Sequence, residues 1–320
     1  MSTLKVFVVG DAMLDNYWIG HIDRISPEAP VPILSVERKE SRPGGAANVA
    51  LNCKALGAEV SLLTVIGQDA HGSMLEKQLM ASDIQTDYIL KSKNRITTCK
   101  TRIMARHQQT MRVDEETTED LSIKDEHRFI EICLKAIQIE KPDVLIFEDY
   151  NKGVLKENVI QKIMAHCKEV GVITAVDPKK KNFLAYTGTD IFKPNLKEIR
   201  EALLLSLDDV NLASLKQVHA RLFKHLQHKN TFITLSEKGV FIQQDTMARM
   251  IPAHIRQISD VSGAGDTVIA VAAMLYKLTG DIVTSAHISN IAGGLVCEEL
   301  GVVPISKQKL LTETIRLLAQ

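Results

Sequence analysis

The chain has 320 residues, of which 45% are hydrophobic and 24% charged, and its formal net charge at neutral pH is zero. This composition supports a sizeable core, whereas the balanced charge and an aromatic content of 4% argue against a surface that binds nucleic acid. We therefore predict no nucleic-acid partner. No apolar run approaches the about 18 residues that a membrane-spanning helix needs, so we also predict no membrane partner.

The cysteines and the N-terminus predict the compartment. Five cysteines are scattered through the chain without a CxxC pair, which is typical of buried thiols and not of a disulfide framework or a zinc site. They are Cys53, Cys99, Cys133, Cys167 and Cys297. The first residues lead directly into a strand-like segment, with no charged leader or cleavage site. We therefore expect a cytoplasmic protein.

The first 40 residues predict one buried strand followed by an excursion. Residues 4–9 are apolar and β-rich, as in a buried parallel strand. A loop that holds Asp15 is predicted to follow. Three prolines within six residues then exclude a helix and a central strand around residues 24–33. An extended or edge-strand segment outside the main sheet is the expected structure there.

A glycine turn, Gly44-Gly45, enters the next predicted helix, which continues to about Leu56. The small residues that follow, together with Asn48, allow the helix start to lie close to a ligand. Tight packing of the helix against a strand explains the same residues equally well.

Along residues 88–113, small or apolar side chains alternate with mostly basic ones, which predicts a half-exposed β segment. One face carries Thr97, Cys99, Thr101, Ile103 and Ala105, and the other carries Lys100, Arg102, Met104 and Arg106. Together with the proline-rich segment, this pattern predicts a small β subdomain. Its inserted segments are expected at about 12–42 and 88–115.

Elsewhere short apolar strands alternate with helices, which predicts an α/β fold with a mostly parallel sheet covered on both faces. The predicted strands include 60–66, 144–147, 172–176, 191–192 and 231–235, and the predicted helices include 69–81, 123–139, 157–170, 212–226, 263–278, 282–299 and 306–319. Ligands bind beyond the carboxyl ends of such strands. The polar residues at those ends are Asp11, Asp149, Asp177, Asn195 and Ser236.

Residues 258–267 carry the strongest functional signal. They precede a run, Val268–Leu275, that is entirely apolar and must therefore form a buried helix. Gly263 and Gly265 would let a bulky anion approach the free N–H groups of its first turn. Asp266 would then stand beside a bound phosphate, where a base for a hydroxyl nucleophile is needed. Alternatively, an acidic or hydroxyl side chain of this stretch simply caps a core helix.

Two other segments allow two interpretations each. Asn195 and Glu198 could hold a hydrated Mg²⁺ beside phosphates, or they could form a helix-capping pair. The lysine run 179–181 could attract phosphate or be a solvated surface. The chain has no GxxxxGK[ST] motif, no GxGxxG motif after the first strand, and no HExxH or GxSxG motif.

In combination, these segments resemble the ribokinase-like (PfkB) family of carbohydrate kinases over almost the whole chain. Residues 44–48 resemble its first signature, residues 260–266 its second, and residues 193–198 its PNxxE element. The resemblance implies one kinase domain, 1–320, with a three-layer α/β/α core, a mostly parallel sheet and a small β lid. It also implies ATP and Mg²⁺ as cofactors.

The resemblance assigns a role to each candidate residue. Asp266 would be the catalytic base, and Gly263, Ala264 and Gly265 would form the anion hole. The residues expected to bind the sugar are Asp15, Gly44, Gly45 and Asn48. Asn195 and Glu198 would act near Mg²⁺, through water, and the ATP phosphates. The adenine would lie near Ser236, Lys238 and Gly239 and near the helices that begin around Ser262 and Ile282.

Longer segments at 10–15, 24–32, 106–109 and 177–186 resemble the heptose 7-phosphate kinases within that family. The expected reaction is transfer of the ATP γ-phosphoryl group to the anomeric hydroxyl of D-glycero-β-D-manno-heptose 7-phosphate, for lipopolysaccharide core synthesis. Arg106 and Lys179 are candidates to bind the sugar's phosphate, as is Arg102. The chain stops where the kinase half of a bifunctional heptose enzyme would end, so we expect no nucleotidyltransferase half.

Two other functions remain open, namely a kinase for another sugar or sugar phosphate and a non-catalytic sugar-phosphate-binding protein. In the resembling kinases the lids pair between subunits, which predicts a homodimer built through the two inserted segments.

Overall fold

The computed structural model describes residues 3–106, 108–207 and 209–318. Within these ranges the chain forms thirteen strands and nine helices. The strands are β1 Lys5–Gly10, β2 Ala12–Ile25, β3 Pro32–Gly45, β4 Glu59–Gly67, β5 Ile89–Ser92, β6 Thr98–Ala105, β7 Gln108–Glu115, β8 Val144–Glu148, β9 Ile173–Asp177, β10 Ile191–Phe192, β11 Asn230–Thr234, β12 Val240–Gln244 and β13 Met247–Ile251. The helices are α1 Ala46–Ala55, α2 Ala70–Ala81, α3 Ile123–Glu140, α4 Glu157–Val170, α5 Leu196–Leu203, α6 Leu212–Leu226, α7 Ala264–Thr279, α8 Ile282–Val296 and α9 Lys307–Leu318.

The large sheet has the strand order β13-β12-β11-β10-β9-β8-β1-β4-β5. From β11 to β5 every neighbouring pair is parallel, whereas β12 pairs antiparallel with both β11 and β13. β1 lies at the centre with partners on both sides, and all its residues after Lys5 are buried, as the apolar sequence predicts.

Helices cover both faces of this sheet. One hydrophobic cluster packs α1, α2, α7 and α8 against it, and a second packs α3, α4, α5 and α6 against the other face. The predicted three-layer α/β/α core with a mostly parallel sheet is therefore confirmed. Among the described residues, no helix is both long and apolar enough to cross a membrane.

A separate four-stranded sheet, in the order β3-β2-β6-β7, forms the predicted small lid. β2 is 14 residues long and pairs with both β3 and β6. Asp15 therefore lies inside a strand, whereas the sequence predicted a loop. Asp11 is the single residue between β1 in the large sheet and β2 in the small one.

The predicted lid agrees with the structure in its first segment and differs in its second. The prolines lie in the turn before β3 and at its first residue, Pro32, and β3 is an edge strand, as predicted. β5 lies within the segment assigned to the lid, yet it pairs with β4 at the edge of the large sheet. The lid's second segment is therefore the hairpin β6–β7. His107 lies outside the described residues.

Candidate active site

The backbone just before α7 has the geometry that its glycines predict. Gly263 precedes the helix in the left-handed region, with φ of 78°. A Cβ there would lie 2.8 Å from Asn48 Nδ2, so a side chain would both strain the backbone and displace Asn48. Asp260 orders the loop before the helix, because its carboxylate accepts from Ser262 N at 2.9 Å and Gly301 N at 3.1 Å.

The loop itself occupies some of the predicted anion-binding donors. Ser262 N donates to Asp260, and Ala264 N donates to the carbonyl of Val261 at 3.3 Å. The other N–H groups of the first turn of α7, and the positive end of the helix dipole, remain available to an anion. An anion here would meet the backbone around Gly263 and Gly265 more readily than that of Ser262 or Ala264.

Asp266 is held by two neutral donors and does not cap α7. Asn48 Nδ2 donates to one carboxylate oxygen at 2.7 Å, and Tyr150 Oη donates to the other at 2.9 Å. The residue is only 4% exposed. Burial, reinforced by the negative charge of Asp177, raises the pKa of Asp266 to about 6, although the two hydrogen bonds oppose this shift. Its proton affinity is therefore higher than that of an ordinary aspartate.

A second network fixes Asn48. Asn52 Nδ2 donates to the carbonyl and to the side-chain oxygen of Asn48, at 2.9 and 3.2 Å. Asn52 Oδ1 in turn accepts from Thr267 Oγ1 at 3.0 Å and from Ile305 N at 2.9 Å. Because the Asn48 oxygen is already used, its amide nitrogen faces Asp266. The glycine signature of α1 and the acid of α7 are thus joined by direct contact.

Three buried carboxylates lie close together near the start of α7. One oxygen each of Glu148, Asp177 and Asp266 lies within 4.8 Å of the others. Glu148 is fully buried, and neither of its oxygens has a hydrogen-bond partner among the described residues. Burial, together with repulsion from Asp177 and Asp266, raises the pKa of Glu148 well above its ordinary value. The charged form of Glu148 is therefore disfavoured.

Two lysines balance this cluster. Lys193, buried directly after β10, places Nζ 2.7 Å from Asp177 Oδ2. Lys179 forms an ion pair with Glu198 and lies 3.9 Å from Asp177 Oδ1. Burial disfavours both cations, but the surrounding carboxylates outweigh it and raise the pKa of each lysine. Both lysines therefore stay charged.

Gly265 opens onto this pair of charges. A Cβ at Gly265 would lie 3.6 Å from both Asp177 Oδ2 and Lys193 Nζ. A phosphate that approaches the backbone of Gly265 would thus also approach a buried ammonium group. Glycine keeps this space open.

Asn195 and Glu198 form the capping pair that the sequence allowed. Asn195 Oδ1 accepts from Glu198 N at 2.9 Å, and Glu198 Oε2 accepts from Asn195 N at 2.8 Å. The other oxygen of Glu198 binds Lys179. A cation held by these two residues would therefore bind through water. The unpartnered oxygens of Glu148 and Asp177 supply the oxygen donors that Mg²⁺ prefers.

The predicted sugar-binding residues are connected to Asp266 through Asn48. Asp15 is buried and pairs with Arg102 across β2 and β6. A Cβ on Gly44 would collide with the Asp15 carboxylate, and Gly45 has φ of 58°, so both positions require glycine. The structure brings together Asp15, Gly44, Gly45 and Asn48, and it adds Arg102 to them.

The predicted adenine-binding residues follow β11, next to the capping pair. Asn195 and Thr234 form a β bridge, and Thr234 N donates to the Pro194 carbonyl at 3.1 Å. Ser236 and Lys238 are exposed in a short 3₁₀ turn, whereas Gly239 is buried with φ of 89°. These residues therefore follow a strand that contacts the capping pair, whose Glu198 binds Lys179.

Arg106 and Lys179, both predicted to bind the phosphate of the sugar, lie in different parts of the structure. Lys179 belongs to the carboxylate cluster near α7. Arg106 is exposed at the tip of the β6–β7 hairpin, with φ of 56°, and its backbone N donates to Gly20 O at 2.8 Å. It lies four residues beyond Arg102, or about 13 Å along an extended strand.

Sequence reasoning missed three residues that contact this site. Tyr150, Glu148 and Lys193 were not candidates, although Glu148 ends β8 and Lys193 directly follows β10. Their position at the end of a strand was the available signal. The same signal had pointed to Asp11 and Asp149, which were named in place of these residues. These two order the following loop: Asp11 accepts from three backbone N–H groups of residues 150–154, and Asp149 accepts from Tyr186 Oη and Asn151 N.

The sequence model of the family described as pfkB family carbohydrate kinase matches residues 3–309. The bifunctional protein HldE of Sulfurimonas denitrificans is 37% identical over 306 residues, which are 95% of this chain and 63% of that protein. The HldE protein of Chromohalobacter salexigens is 38% identical over 314 residues, or 98% and 64%. The chain thus spans less than two thirds of the length of these relatives.

Solved structures show the same fold at low identity. Phosphofructokinase-2 from Escherichia coli, in complex with potassium, superimposes with a TM-score of 0.81 at 16% identity and covers 100% of both chains. The ribokinase of Arabidopsis thaliana, complexed with ribose and ATP, gives a TM-score of 0.75 at 19% identity, with 97% and 99% covered.

Proposed function

The chain belongs to the pfkB family of carbohydrate kinases, and we propose that it transfers the γ-phosphoryl group of ATP to the anomeric hydroxyl of D-glycero-β-D-manno-heptose 7-phosphate. The product would be the 1,7-bisphosphate, an intermediate for ADP-heptose and lipopolysaccharide core synthesis. We place this activity in the cytoplasm, since five free, buried cysteines are typical of a reducing compartment.

The observation that carries the proposal is the contact between Asn48 and Asp266. It joins the glycine turn of α1, beside Asp15, to the start of α7, beside the lysines and Glu198. A hydroxyl bound next to Asn48 would therefore lie between a carboxylate base and an anion-binding helix start. Phosphoryl transfer needs this arrangement, because it depends mainly on positioning and charge stabilisation.

In the proposed reaction Asp266 accepts the proton of the anomeric hydroxyl as its oxygen attacks phosphorus. A pKa of about 6 keeps Asp266 mostly ionised at neutral pH and still makes it a better proton acceptor than an ordinary aspartate. Asn48 and Tyr150 hold the carboxylate in place. The backbone around Gly263 and Gly265, with the positive end of α7, stabilises the charge on the transferred group.

Lys193 and Lys179 lie where the phosphates of ATP would bind. Their charges are fixed by Asp177 and Glu198, so they need no rearrangement during transfer. Ser236, Lys238 and Gly239 would border the adenine. Mg²⁺ would be held through water by Asn195 and Glu198 and by the open oxygens of Asp177 and Glu148, where it would neutralise phosphate charge.

The heptose assignment rests on the resemblance of the segments given above and on the identity to HldE proteins over nearly the whole chain. Asp15, Gly44, Gly45 and Asn48 would orient the sugar hydroxyls. Arg106 on the lid would approach the 7-phosphate when the sugar is bound, because an arginine fork suits a phosphate. The contacts of Lys179 favour the transferred phosphoryl group over the 7-phosphate.

We also propose a homodimer formed through the lid. Trp18, Met111 and Val113 lie on one face of the small sheet and are 37%, 60% and 46% exposed. A second lid would cover this apolar face.

The test is a coupled assay of ADP release with ATP and Mg²⁺. It compares heptose 7-phosphate, the unphosphorylated heptose and fructose 6-phosphate. We expect rapid release only with heptose 7-phosphate, and no release without sugar. Equal kcat/KM for the heptose with and without its phosphate would refute the assignment, and a preference for fructose 6-phosphate would identify a kinase for another sugar phosphate. The absence of ADP release with every sugar would favour a binding protein.

A further inference from the structure

The small sheet carries a second cluster of polar side chains on the face opposite the sugar-binding residues. His71, Cys99 and Glu115 each place one potential ligand atom within 4.8 Å of the others. They come from three elements: His71 from the first turn of α2, Cys99 from β6 and Glu115 from β7. Strand alternation directs Asp15 and Lys100 to the sugar side and Cys99 to the other side. The cluster is thus separate from the proposed active site.

We propose that His71, Cys99 and Glu115 form a binding site for a divalent zinc-like cation. A thiolate, an imidazole and a carboxylate are the three protein ligands that Zn²⁺ uses, and three of them leave a fourth position for water. The sulfur selects against Mg²⁺ and Ca²⁺, which prefer oxygen alone. The spacing of the cysteines in the sequence predicted no zinc site, because these ligands converge only through the tertiary fold.

The positions of the ligands are fixed by contacts independent of any ion. Cys99 and Glu115 are directly paired across β6 and β7. Asp69, the cap of α2, accepts from Gly72 N and from Thr97 N, both at 2.7 Å. The helix start that carries His71 is therefore bound to the residue that precedes β6. This contact fixes the separation of His71 from Cys99 before a cation binds.

Burial raises the pKa of the Cys99 thiol, but one contact of the sulfur would stabilise a thiolate once a cation is bound. Asn16 Nδ2 donates to Cys99 Sγ at 3.0 Å, while Asn16 Oδ1 is buried without a partner among the described residues. An amide N–H favours the charged sulfur, as outer-shell donors do around metal ligands. On binding, the S–H proton would leave to solvent as the metal–sulfur bond forms. Cys99 is buried, whereas Glu115 is exposed, so a cation would enter from the Glu115 side.

A cation at this site would join the lid to the core. β6 and β7 belong to the small sheet, and α2 packs on the large one. Binding is therefore expected to stabilise the folded chain and to hold the hairpin against α2. This consequence does not depend on which sugar the enzyme phosphorylates.

The direct test uses Co²⁺ as a spectroscopic substitute for Zn²⁺. We expect one Co²⁺ per chain, with the near-ultraviolet charge-transfer band of a cysteine thiolate bound to cobalt, and loss of that band when Zn²⁺ is added. Cys99→Ser should abolish the band. The matched control Cys297→Ser, at a buried cysteine outside the cluster, should retain it. The absence of a band in the unmodified protein, or its retention in Cys99→Ser, would overturn the proposal.

Two further variants keep the test decisive if Cys99→Ser folds poorly. His71→Gln and Glu115→Gln change partly or fully exposed side chains. Each should weaken Zn²⁺ affinity by at least about 10- to 100-fold, the loss seen even for outer-shell groups. Zn²⁺ should raise the Tm of the unmodified protein and of Cys297→Ser more than that of His71→Gln. Equal affinity and equal Tm shifts in His71→Gln and the unmodified protein would refute the site.

Discussion

Replacing Asp266 with asparagine should remove activity and at the same time stabilise the protein. The change keeps the shape of the side chain and removes its charge. The amide oxygen of the introduced side chain can still accept from Asn48 Nδ2, and its amide nitrogen can donate to Tyr150 Oη, whose hydroxyl hydrogen is free to rotate. The two hydrogen bonds that position the side chain at 2.7 and 2.9 Å therefore have replacements. The variant should fold and bind both substrates.

The stability change follows from the pKa of Asp266. It is about 6 in the folded chain against an ordinary value of 3.8. Because the folded state binds the proton more tightly than the unfolded state, this group lowers the free energy of unfolding as the pH rises from about 4 to 6. The difference of about 2 in pKa corresponds to about 3 kcal/mol at neutral pH. Asp266→Asn should recover up to that amount at pH 7 and little at pH 4.

The assay combines steady-state ADP release with urea unfolding at both pH values. Loss of a general base should lower kcat by about 10²- to 10⁴-fold while the KM for ATP stays nearly constant. Asp281→Asn is the matched control, because Asp281 caps α8 at the surface and should change stability without changing kcat. Near-normal turnover of Asp266→Asn would refute the base assignment. A variant less stable than the unmodified chain at pH 7 would refute the argument from the buried charge.

Four other changes test the remaining parts of the site. Gly265→Ala should fold with an unchanged Tm but raise the KM for ATP, because the new Cβ would fill the space beside Lys193; steady-state kinetics would check this. Lys193→Met should cost about 3–5 kcal/mol in urea unfolding, since it leaves the buried Asp177 charge with only the more distant Lys179, and a smaller loss would contradict the pairing. Met111→Asp on the lid should convert the proposed dimer to a monomer in sedimentation, and a monomeric unmodified protein would exclude the dimer. Arg106→Ala should lower kcat/KM for heptose 7-phosphate by about 10- to 100-fold with little effect on the KM for ATP, and an unchanged kcat/KM would remove Arg106 from the sugar site.

Local sequence patterns predicted most of the elements because the required signals are local. The apolar runs of β1, β4, β8 and β9 and the glycine turn before α7 each occupy fewer than about ten residues, within reach of a periodicity argument. The large sheet, its helical layers and the small lid were confirmed. The loop predicted around Asp15 was wrong, because β2 gains two neighbours, β3 and β6, that only the tertiary fold provides.

The unpredicted part of the site depends on strand order. Tyr150 reaches Asp266 from a position 116 residues away, because the loop after β8 is drawn toward β1 by Asp11. Asp177 and Lys193 meet because β9 and β10 are neighbours. Likewise, His71, Cys99 and Glu115 have no spacing typical of a metal site. Pairings at such distances in the chain require a topology, which hydrophobic periodicity alone does not determine.

The charges around Asp266 explain how one buried aspartate could serve as a base near neutral pH. If Glu148 and Asp177 were both ionised without compensation, their repulsion would keep Asp266 protonated and unable to accept a proton. Lys193 neutralises Asp177, and burial raises the pKa of Glu148 and so disfavours its charged form. Asp266 is then left with a pKa of about 6 and is mostly ionised at pH 7. The lysine that faces the proposed phosphate site would therefore also set the protonation state of the proposed base.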